Sequence, residues 1–211
     1  MSVLLFMVCS LNKVQAQEGR GVQPRPHDIV KVNLGLKAGI GMNKLDGDTW
    51  SSGYRSNLHG GAYLAIRNSR WGIHAEFLLS QSTFETSPDF YSAFKPHYNN
   101  VVDSIRTGKF RLNYVSVPIL LRWRLIPNVW ALVGPQWSGV MSVNDKNKLL
   151  KDPELIFKDK ELSGVLGLWV NISPRLHLGA RYVIGLTNNN NTTFKDSWHA
   201  KSVQLHLGWG L

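Results

Sequence analysis

The stretch Val30-Lys-Val-Asn-Leu-Gly-Leu-Lys-Ala-Gly-Ile-Gly-Met-Asn43 decides the fold. Apolar side chains take every second position, and Lys, Asn or Gly fills the positions between them. A helix has a period of about 3.6 residues and cannot produce this alternation, whereas a β-strand sends successive side chains to opposite faces. The stretch therefore predicts a long strand with one apolar and one polar face.

Further segments along the chain show the same period of two. Eight segments show this pattern in all, an even number, as in bacterial outer-membrane barrels. In the fifth and sixth segments both sets of alternate residues contain large apolar side chains, so alternation leaves open which face of these two strands points inward. The predicted strands cover about 30–43, 58–66, 71–84, 110–124, 129–141, 162–170, 176–185 and 202–211.

The connections alternate in length as regularly as the residues do. The links after the second, fourth and sixth strands are short, and the others are long and polar, the longest being about 85–109. This sorting is typical of outer-membrane barrels, with turns in the periplasm and loops outside. We therefore predict an all-β fold for residues 29–211: an eight-stranded antiparallel up-and-down transmembrane barrel with short periplasmic turns and long extracellular loops.

The polar face of the strands indicates a membrane barrel and not a soluble one. A soluble barrel fills its interior with apolar side chains, whereas a small membrane barrel shows them to lipid. Here glycines flank single charged or imidazole groups on the minority face, which suits a narrow lumen. A soluble carrier stays the less favoured alternative. Aromatic residues at strand ends predict interfacial girdles, namely Trp71, Trp123, Trp130, Trp137, Tyr182 and Trp209.

The N-terminal residues have the features of an export signal. Residues 1–16 contain a short apolar run from Val3 to Leu11, and Ala16 stands where a signal peptidase cuts. We expect a signal peptide over 1–16 and a flexible periplasmic segment over 17–28. Cleavage would remove Cys9, the one cysteine in the sequence, and with it any disulfide or thiolate chemistry.

The sequence carries no pattern that indicates an enzyme, a metal site or a cofactor site. There is no HExxH spacing and no Gly-x-Ser-x-Gly elbow, and His59 and Ser82 are the only weak catalytic candidates. The formal net charge of +10 raises the question of nucleic acid, but Lys and Arg are dispersed, with no run of four or more. We expect no catalysis, cofactor, metal or nucleic-acid partner.

Five polar residues are predicted to meet in the lumen. Because an unpaired charge is costly in a narrow lumen, we expect Glu76 to pair with Arg181 or Lys37. The favoured interpretation is a plug that fixes the shape of the barrel, and the alternative is a selective conduit. The five residues are Lys37, Glu76, Gln136, Arg181 and His206.

Three other features near the strand ends carry predictions. Arg122 and Arg124 are expected to meet lipid headgroups or solvent, and Pro118 and Pro135, which lack a ladder donor, predict local bulges. Aromatic residues in the longest loop suggest a contact surface for a partner, with packing against other loops as an equal alternative; they are Phe90, Tyr91, Phe94 and Tyr98.

Short motifs are spread over about residues 30–211. They are Gly35-Leu-Lys-Ala-Gly39-Ile-Gly-Met-Asn43, His74-Ala-Glu76-Phe77, Leu112-Asn-Tyr114-Val-Ser-Val-Pro118-Ile-Leu-Leu, Val133-Gly134-Pro135, Ala180-Arg181-Tyr182 and Gly185-Leu186. These motifs are similar to those of the PorT-like family of outer-membrane β-barrels, whose name-giving member looks like a component of a protein secretion and gliding apparatus. The resemblance implies an outer-membrane location, surrounding lipid and a link to protein secretion. We therefore expect a non-enzymatic envelope component with a structural or partner-binding role, its partners being envelope or secretion-complex proteins, and the alternative is a conduit for a small solute or ligand.

Overall fold

A computed structural model describes residues 30–51, 53–94, 98, 107–192 and 196–211. Within these residues eight strands pair antiparallel in chain order, and the last pairs back with the first to close a barrel. The predicted architecture is confirmed. The predicted signal peptide and flexible segment, residues 1–16 and 17–28, lie outside the described residues. The strands are β1 (Lys31–Asp46), β2 (Arg55–Arg67), β3 (Trp71–Glu85), β4 (Lys109–Ile126), β5 (Val129–Asp145), β6 (Lys160–Asn171), β7 (Leu176–Gly185) and β8 (His199–Gly210).

The two ends of the barrel differ in the length of their connections. The turn end carries the short links 68–70, 127–128 and 172–175, and the loop end carries the links 47–54, 86–108, 146–159 and 186–198. The loop end also holds a short helix, α1 (Asp89–Phe94), and a 3₁₀ helix, Pro153–Ile156. No helix among the described residues is long and apolar enough to cross a membrane.

Local side chains fix the tight links of the turn end. The Asn68 side-chain oxygen accepts hydrogen bonds from the backbone N–H groups of Arg70 and Trp71. Asn128 adopts a positive φ of 69°, a conformation that asparagine tolerates better than most residues. Such local acceptors let antiparallel strands reverse within a few residues.

Most strands are longer at the loop end than the alternation predicts. β2 begins at Arg55 and not near 58, and β5 continues to Asp145 and not to 141. Beyond the apolar belt the outward positions become polar, as Lys44 and Asp46 show on β1, although their pairing with β8 continues. Hydrophobic alternation ends where the lipid contact ends, whereas strand pairing does not.

The burial pattern is inverted relative to a soluble protein. On β1 the outward Leu36 is 57% exposed, whereas the neighbouring inward Lys37 is 4% exposed. The same pattern decides the facing of the two ambiguous strands: Trp130 of β5 and Trp169 of β6 point into the lumen, and Trp137 faces outward. An apolar belt therefore surrounds a polar interior, as in membrane barrels.

Two of the predictions near the strand ends are wrong. Trp130 is 1% exposed and belongs to no girdle, whereas the other predicted girdle tryptophans face outward and Tyr182 is half-buried. Arg122 is 2% exposed and lies in the lumen, where its guanidinium stacks on Trp130; Arg124 is exposed, as predicted. The error at Trp130 arises because β5 carries large apolar residues on both faces, so alternation does not reveal its inward side. The error at Arg122 is different: alternation places it on the polar face of β4, but not its contact with Trp130 inside the lumen.

The predicted bulges at the two prolines are also wrong. The register shifts of β4 and β5 lie between Asn113 and Tyr114 and between Arg124 and Ile126. On the β3 side the partners of Pro118 and its neighbour are missing, but pairing resumes in the same register. The missing N–H of proline interrupts the ladder here without an inserted residue.

Candidate functional site

A fully buried ion cluster crosses the middle of the lumen. One carboxylate oxygen of Glu76 lies 2.8 Å from Nζ of Lys37 and 2.9 Å from Nε2 of His74, and the other accepts a hydrogen bond of 2.7 Å from Nη1 of Arg181. The side chains of Lys37 and Glu76 have no exposed surface. These residues come from β1, β3 and β7, so the structure brings Glu76 against both of its expected partners. A buried carboxylate is stable only with such partners.

Hydrogen bonds extend this cluster toward the loop end. Arg181 Nε donates to the Gln204 side-chain oxygen at 2.6 Å, and Gln204 donates to the Ser202 hydroxyl at 3.0 Å. Ser202 donates to Asn43, which in turn donates to Ser82, each at 2.5 Å. We call the connected set the lumen network: Lys37, Asn43, His74, Glu76, Ser82, Arg181, Ser202 and Gln204.

Two of the five predicted lumen residues stand apart from the lumen network. Gln136 donates to the Ser138 hydroxyl at 3.1 Å, in a separate serine cluster. His206 is 2% exposed and packs 5.4 Å from the Trp169 ring, and neither of its ring nitrogens has a hydrogen-bond partner among the described residues. Sequence reasoning missed His74, although its position two residues before Glu76 on the same face was a usable signal.

The weak catalytic candidates do not form a pair. Ser82 belongs to the lumen network through Asn43, whereas the His59 ring lies 6.1 Å from the ring of His206. Among the described residues no hydrogen bond joins His59 to Ser82, and no group of three or more His, Cys, Asp or Glu residues is arranged to hold a metal ion.

An aromatic layer closes the loop end. The Trp50 ring lies 5.2 Å from Trp198, 5.4 Å from Phe90 and 5.6 Å from Phe157, so all four loops meet at this tryptophan. Isolated β-bridges also join neighbouring loops, for example Trp50 with Thr86. We call this layer the loop cap; its buried members are Leu45, Trp50, Phe84, Phe90, Tyr98, Phe110, Leu112, Tyr114, Leu149, Leu150, Ile156, Phe157 and Trp198.

The aromatic residues of the longest loop lie mainly inside the loop cap. Phe90 is 0% and Tyr98 3% exposed, and the half-buried Tyr91 packs edge-on against Tyr98 at 4.9 Å. The side chain of Phe94 lies outside what the structure describes. Phe90 and Tyr98 therefore offer no exposed contact surface, because the loop cap supplies the apolar neighbours that a partner would otherwise supply.

Asp196 fastens the first loop to the last beneath the loop cap. Its carboxylate accepts hydrogen bonds from the backbone and hydroxyl of Thr49 at 3.1 and 2.8 Å, from the backbone of Asp48 at 3.2 Å and from the Trp198 indole at 3.0 Å. Burial raises the pKa of this carboxyl, but the hydrogen bonds outweigh burial and hold the pKa below its ordinary value.

The turn end holds an open pocket of about 320 Å³. Two arginines reach it: Arg122 from β4, whose guanidinium lies 4.5 Å from the Trp130 ring, and Arg67 from β2, at 5.3 Å from the same ring. The aromatic rings of Tyr63 and Trp169 separate the pocket from the lumen network. The residues that line the pocket are Asn33, Tyr63, Arg67, Arg122, Asn128, Trp169, Asn171, Ile172, Ser173, Pro174 and His177.

Comparison with known proteins identifies a family and several similar barrels. A family model described as outer membrane protein beta-barrel domain matches residues 15–191. The chain is 16% identical to Ail, the attachment invasion locus protein of Yersinia pestis, with a TM-score of 0.43, covering 85% of this chain and 98% of that one. For neisserial surface protein A the identity is 10%, the TM-score 0.46 and the coverage 87% and 100%. For OprG of Pseudomonas aeruginosa the identity is 8% and the TM-score 0.46, and the alignment covers 85% of this chain and 95% of that one. No curated protein matches the chain.

Proposed function

The chain belongs to the outer membrane protein beta-barrel domain family, and from that premise we propose that it is a non-enzymatic, non-conducting envelope component that binds a partner. It lies in the bacterial outer membrane, embedded in lipid through its apolar belt. The turn end faces the periplasm and the loop end faces outward, as in other barrels of this kind.

The observation that supports a sealed lumen is the position of Glu76. Its carboxylate joins cations of β1 and β7 across the middle of the barrel, with no exposed side-chain surface. The loop cap then covers the lumen network from outside. Eight strands leave an interior that side chains can fill, whereas a conduit needs a continuous wet path. These features favour the plug over the small-solute conduit.

Support for a non-enzymatic role comes from the same interior. The polar side chains of the lumen network hydrogen-bond to one another, and the serine and histidine candidates do not form a nucleophile–base pair. A nucleophilic hydroxyl needs a base within hydrogen-bond reach. The polar interior is thus better suited to holding shape than to chemistry.

Planar-bilayer conductance tests the sealed lumen. The full chain, refolded and checked by heat-modifiable migration, is expected to give no stable conductance steps, because the lumen network and loop cap block the path. The Glu76→Gln variant, which keeps the size of the side chain, is measured beside it. Stable, ion-selective steps from the unaltered chain, altered by Glu76→Gln, would overturn the plug and establish the conduit.

The second part of the proposal is that the chain binds a partner in the cell envelope. Two features support a partner: the strand motifs resemble those of the PorT-like family, and the rim of the turn end is exposed. A photo-crosslinking residue at exposed position 175 is expected to give discrete protein adducts in intact envelopes, whereas one at lipid-facing position 207 gives none. Recovery of the barrel alone from both positions would contradict a protein partner.

A further inference from the structure

The pocket at the turn end holds two guanidinium groups, and no acidic side chain of the described residues lines it. Arg122 is 2% exposed, and its guanidinium also lies 5.7 Å from the Trp169 ring. Among the described residues its side chain makes one hydrogen bond, from Nη2 to the Asn171 side-chain oxygen, which is long at 3.5 Å. Arg67 donates from Nε to Asn33 at 3.2 Å. None of the described residues that line the pocket is Asp or Glu, although burying a guanidinium is costly unless an anion compensates it.

Polar groups in the pocket also lack partners. Among the described residues, Nε of Arg122, the hydroxyl of Tyr63 and Nδ1 of His177 are buried without a hydrogen bond. Buried polar groups in folded proteins are nearly always satisfied, so each of these indicates a missing partner. Nε of Arg122 always donates, and the Tyr63 hydroxyl and Nδ1 of His177 can donate, so an acceptor that reaches these buried atoms would satisfy all three.

The surroundings of the pocket carry the same charge. The exposed basic residues of the turn end are Lys31, Arg70, Arg124 and Arg175, and the structure describes no Asp or Glu side chain there. Such a single-signed rim raises the local concentration of anions and speeds their association.

The shape of the pocket selects among anions. The Arg122 guanidinium carbon lies 4.5 Å from the centre of the Trp130 ring and 5.7 Å from that of Trp169, which restricts its movement. A guanidinium fork matches the two oxygens of a planar carboxylate. A volume of about 320 Å³ is at the small end of ligand pockets, which run from about 300 to 1,000 Å³. A small acid or the end of a peptide fits, and a folded domain does not.

We propose that this pocket binds a carboxylate group presented from the periplasm, on a small organic acid or at the C-terminus of a peptide. The inference deepens the proposed function, on which it rests, by naming the chemistry of the partner. The planar acid binds against Arg122 and Arg67, which border the pocket.

Binding by the full chain in neutral detergent micelles tests the proposal. The probes are succinate, a short peptide with a free C-terminus, the same peptide amidated, and inorganic phosphate. Binding is followed by calorimetry and by the change in tryptophan fluorescence, since Trp169 lines the pocket. Saturable binding of succinate or the free peptide, weakened about tenfold or more by Arg122→Gln, is expected because a charge-assisted pair is lost. Succinate alone identifies a small acid, and the free peptide alone identifies a chain end.

Lys109→Gln is the matched control, because Lys109 lies on the same strand as Arg122 but at the loop end, and is exposed. This substitution is expected to change the dissociation constant for succinate or the free peptide by less than about twofold relative to the unaltered chain. If Arg122→Gln fails to fold, as heat-modifiable migration would show, Arg67→Gln takes its place, since Arg67 is only half-buried.

Three results would overturn the carboxylate site: no saturable binding of either acid, equal binding by the pocket variants and the unaltered chain, or phosphate binding about tenfold tighter than both acids. These outcomes are separate from the conductance result. A barrel that stays sealed but binds no acid refutes only the pocket, whereas a conducting barrel refutes the proposed function itself.

Discussion

The loop end of the barrel covers the polar lumen, whereas the turn end leaves a pocket open. At the loop end, loop and strand residues meet in the loop cap, and Asp196 fastens the first loop to the last. At the turn end the links are a few residues long and cannot reach across the lumen, so Arg67 and Arg122 border an open pocket. Among the described residues, connection length therefore decides which end is sealed, and the pocket lies at the end that the short links leave open.

The largest expected effect comes from removing the central ring of the loop cap. Trp50→Ala leaves a cavity among the surrounding rings and is expected to cost about 3–5 kcal/mol of unfolding free energy, measured in urea. Trypsin should then cut faster at Lys146 and Lys148 in the third loop. Trp130→Ala, which removes a tryptophan at the turn end, is the matched variant, and its loops should keep their resistance. Equally fast cleavage in both variants would break the contrast between the ends.

A smaller effect is expected at the fastening of the loops. Asp196→Asn keeps the shape but weakens hydrogen bonds to a charged acceptor, and should cost about 1–2 kcal/mol at neutral pH. Because the folded-state pKa of Asp196 lies below the ordinary value of 3.8, this stabilisation is present above pH 3.8 and is lost as the pH falls through the folded-state pKa.

The pH dependence of urea unfolding measures this effect, with exposed Asp152→Asn as control. The difference between the unaltered chain and Asp196→Asn should shrink below pH 3.8, whereas Asp152→Asn should stay within about 0.5 kcal/mol of the unaltered chain throughout. A difference that persists unchanged into acid would mean that the carboxylate charge does not hold the loops together.

The contrast between the ends also marks the limit of what the sequence predicts. β1 was predictable because one face meets lipid and the other meets the lumen, so the alternation is strict. Trp130 was not, because the turn-end half of the lumen contains an aromatic layer and β5 is apolar on both faces there. The loop cap was unpredictable for another reason: its loops have no period, and the pairing of Trp50 with Trp198 depends on barrel closure.

The lumen was predictable only in part for the same physical reason. Charge balance was enough to expect Lys37 or Arg181 beside Glu76, since a buried carboxylate is costly without a nearby cation, and the structure places both there. The place of Gln204 between Arg181 and Ser202 follows from the register of β7 and β8, which alternation does not fix. Alternation on β4 already put Arg122 on the polar face, but its buried position depends on the aromatic ring of Trp130, whose inward facing alternation does not give.

The smallest expected effect is the one that tests the contrast most directly. Trp50→Ala and Arg122→Gln each change the unfolding free energy. If the loop cap and the turn-end pocket are independent, these two changes should add in the double variant to within about 0.3–0.5 kcal/mol, as for distant sites without shared partners. The structure provides one physical route between them, the lumen network centred on Glu76. A coupling above about 1 kcal/mol that disappears when Glu76→Gln is introduced in all members of the cycle would show that this route transmits strain. The two ends would then be energetically coupled, and occupation of the pocket would alter the stability of the loops.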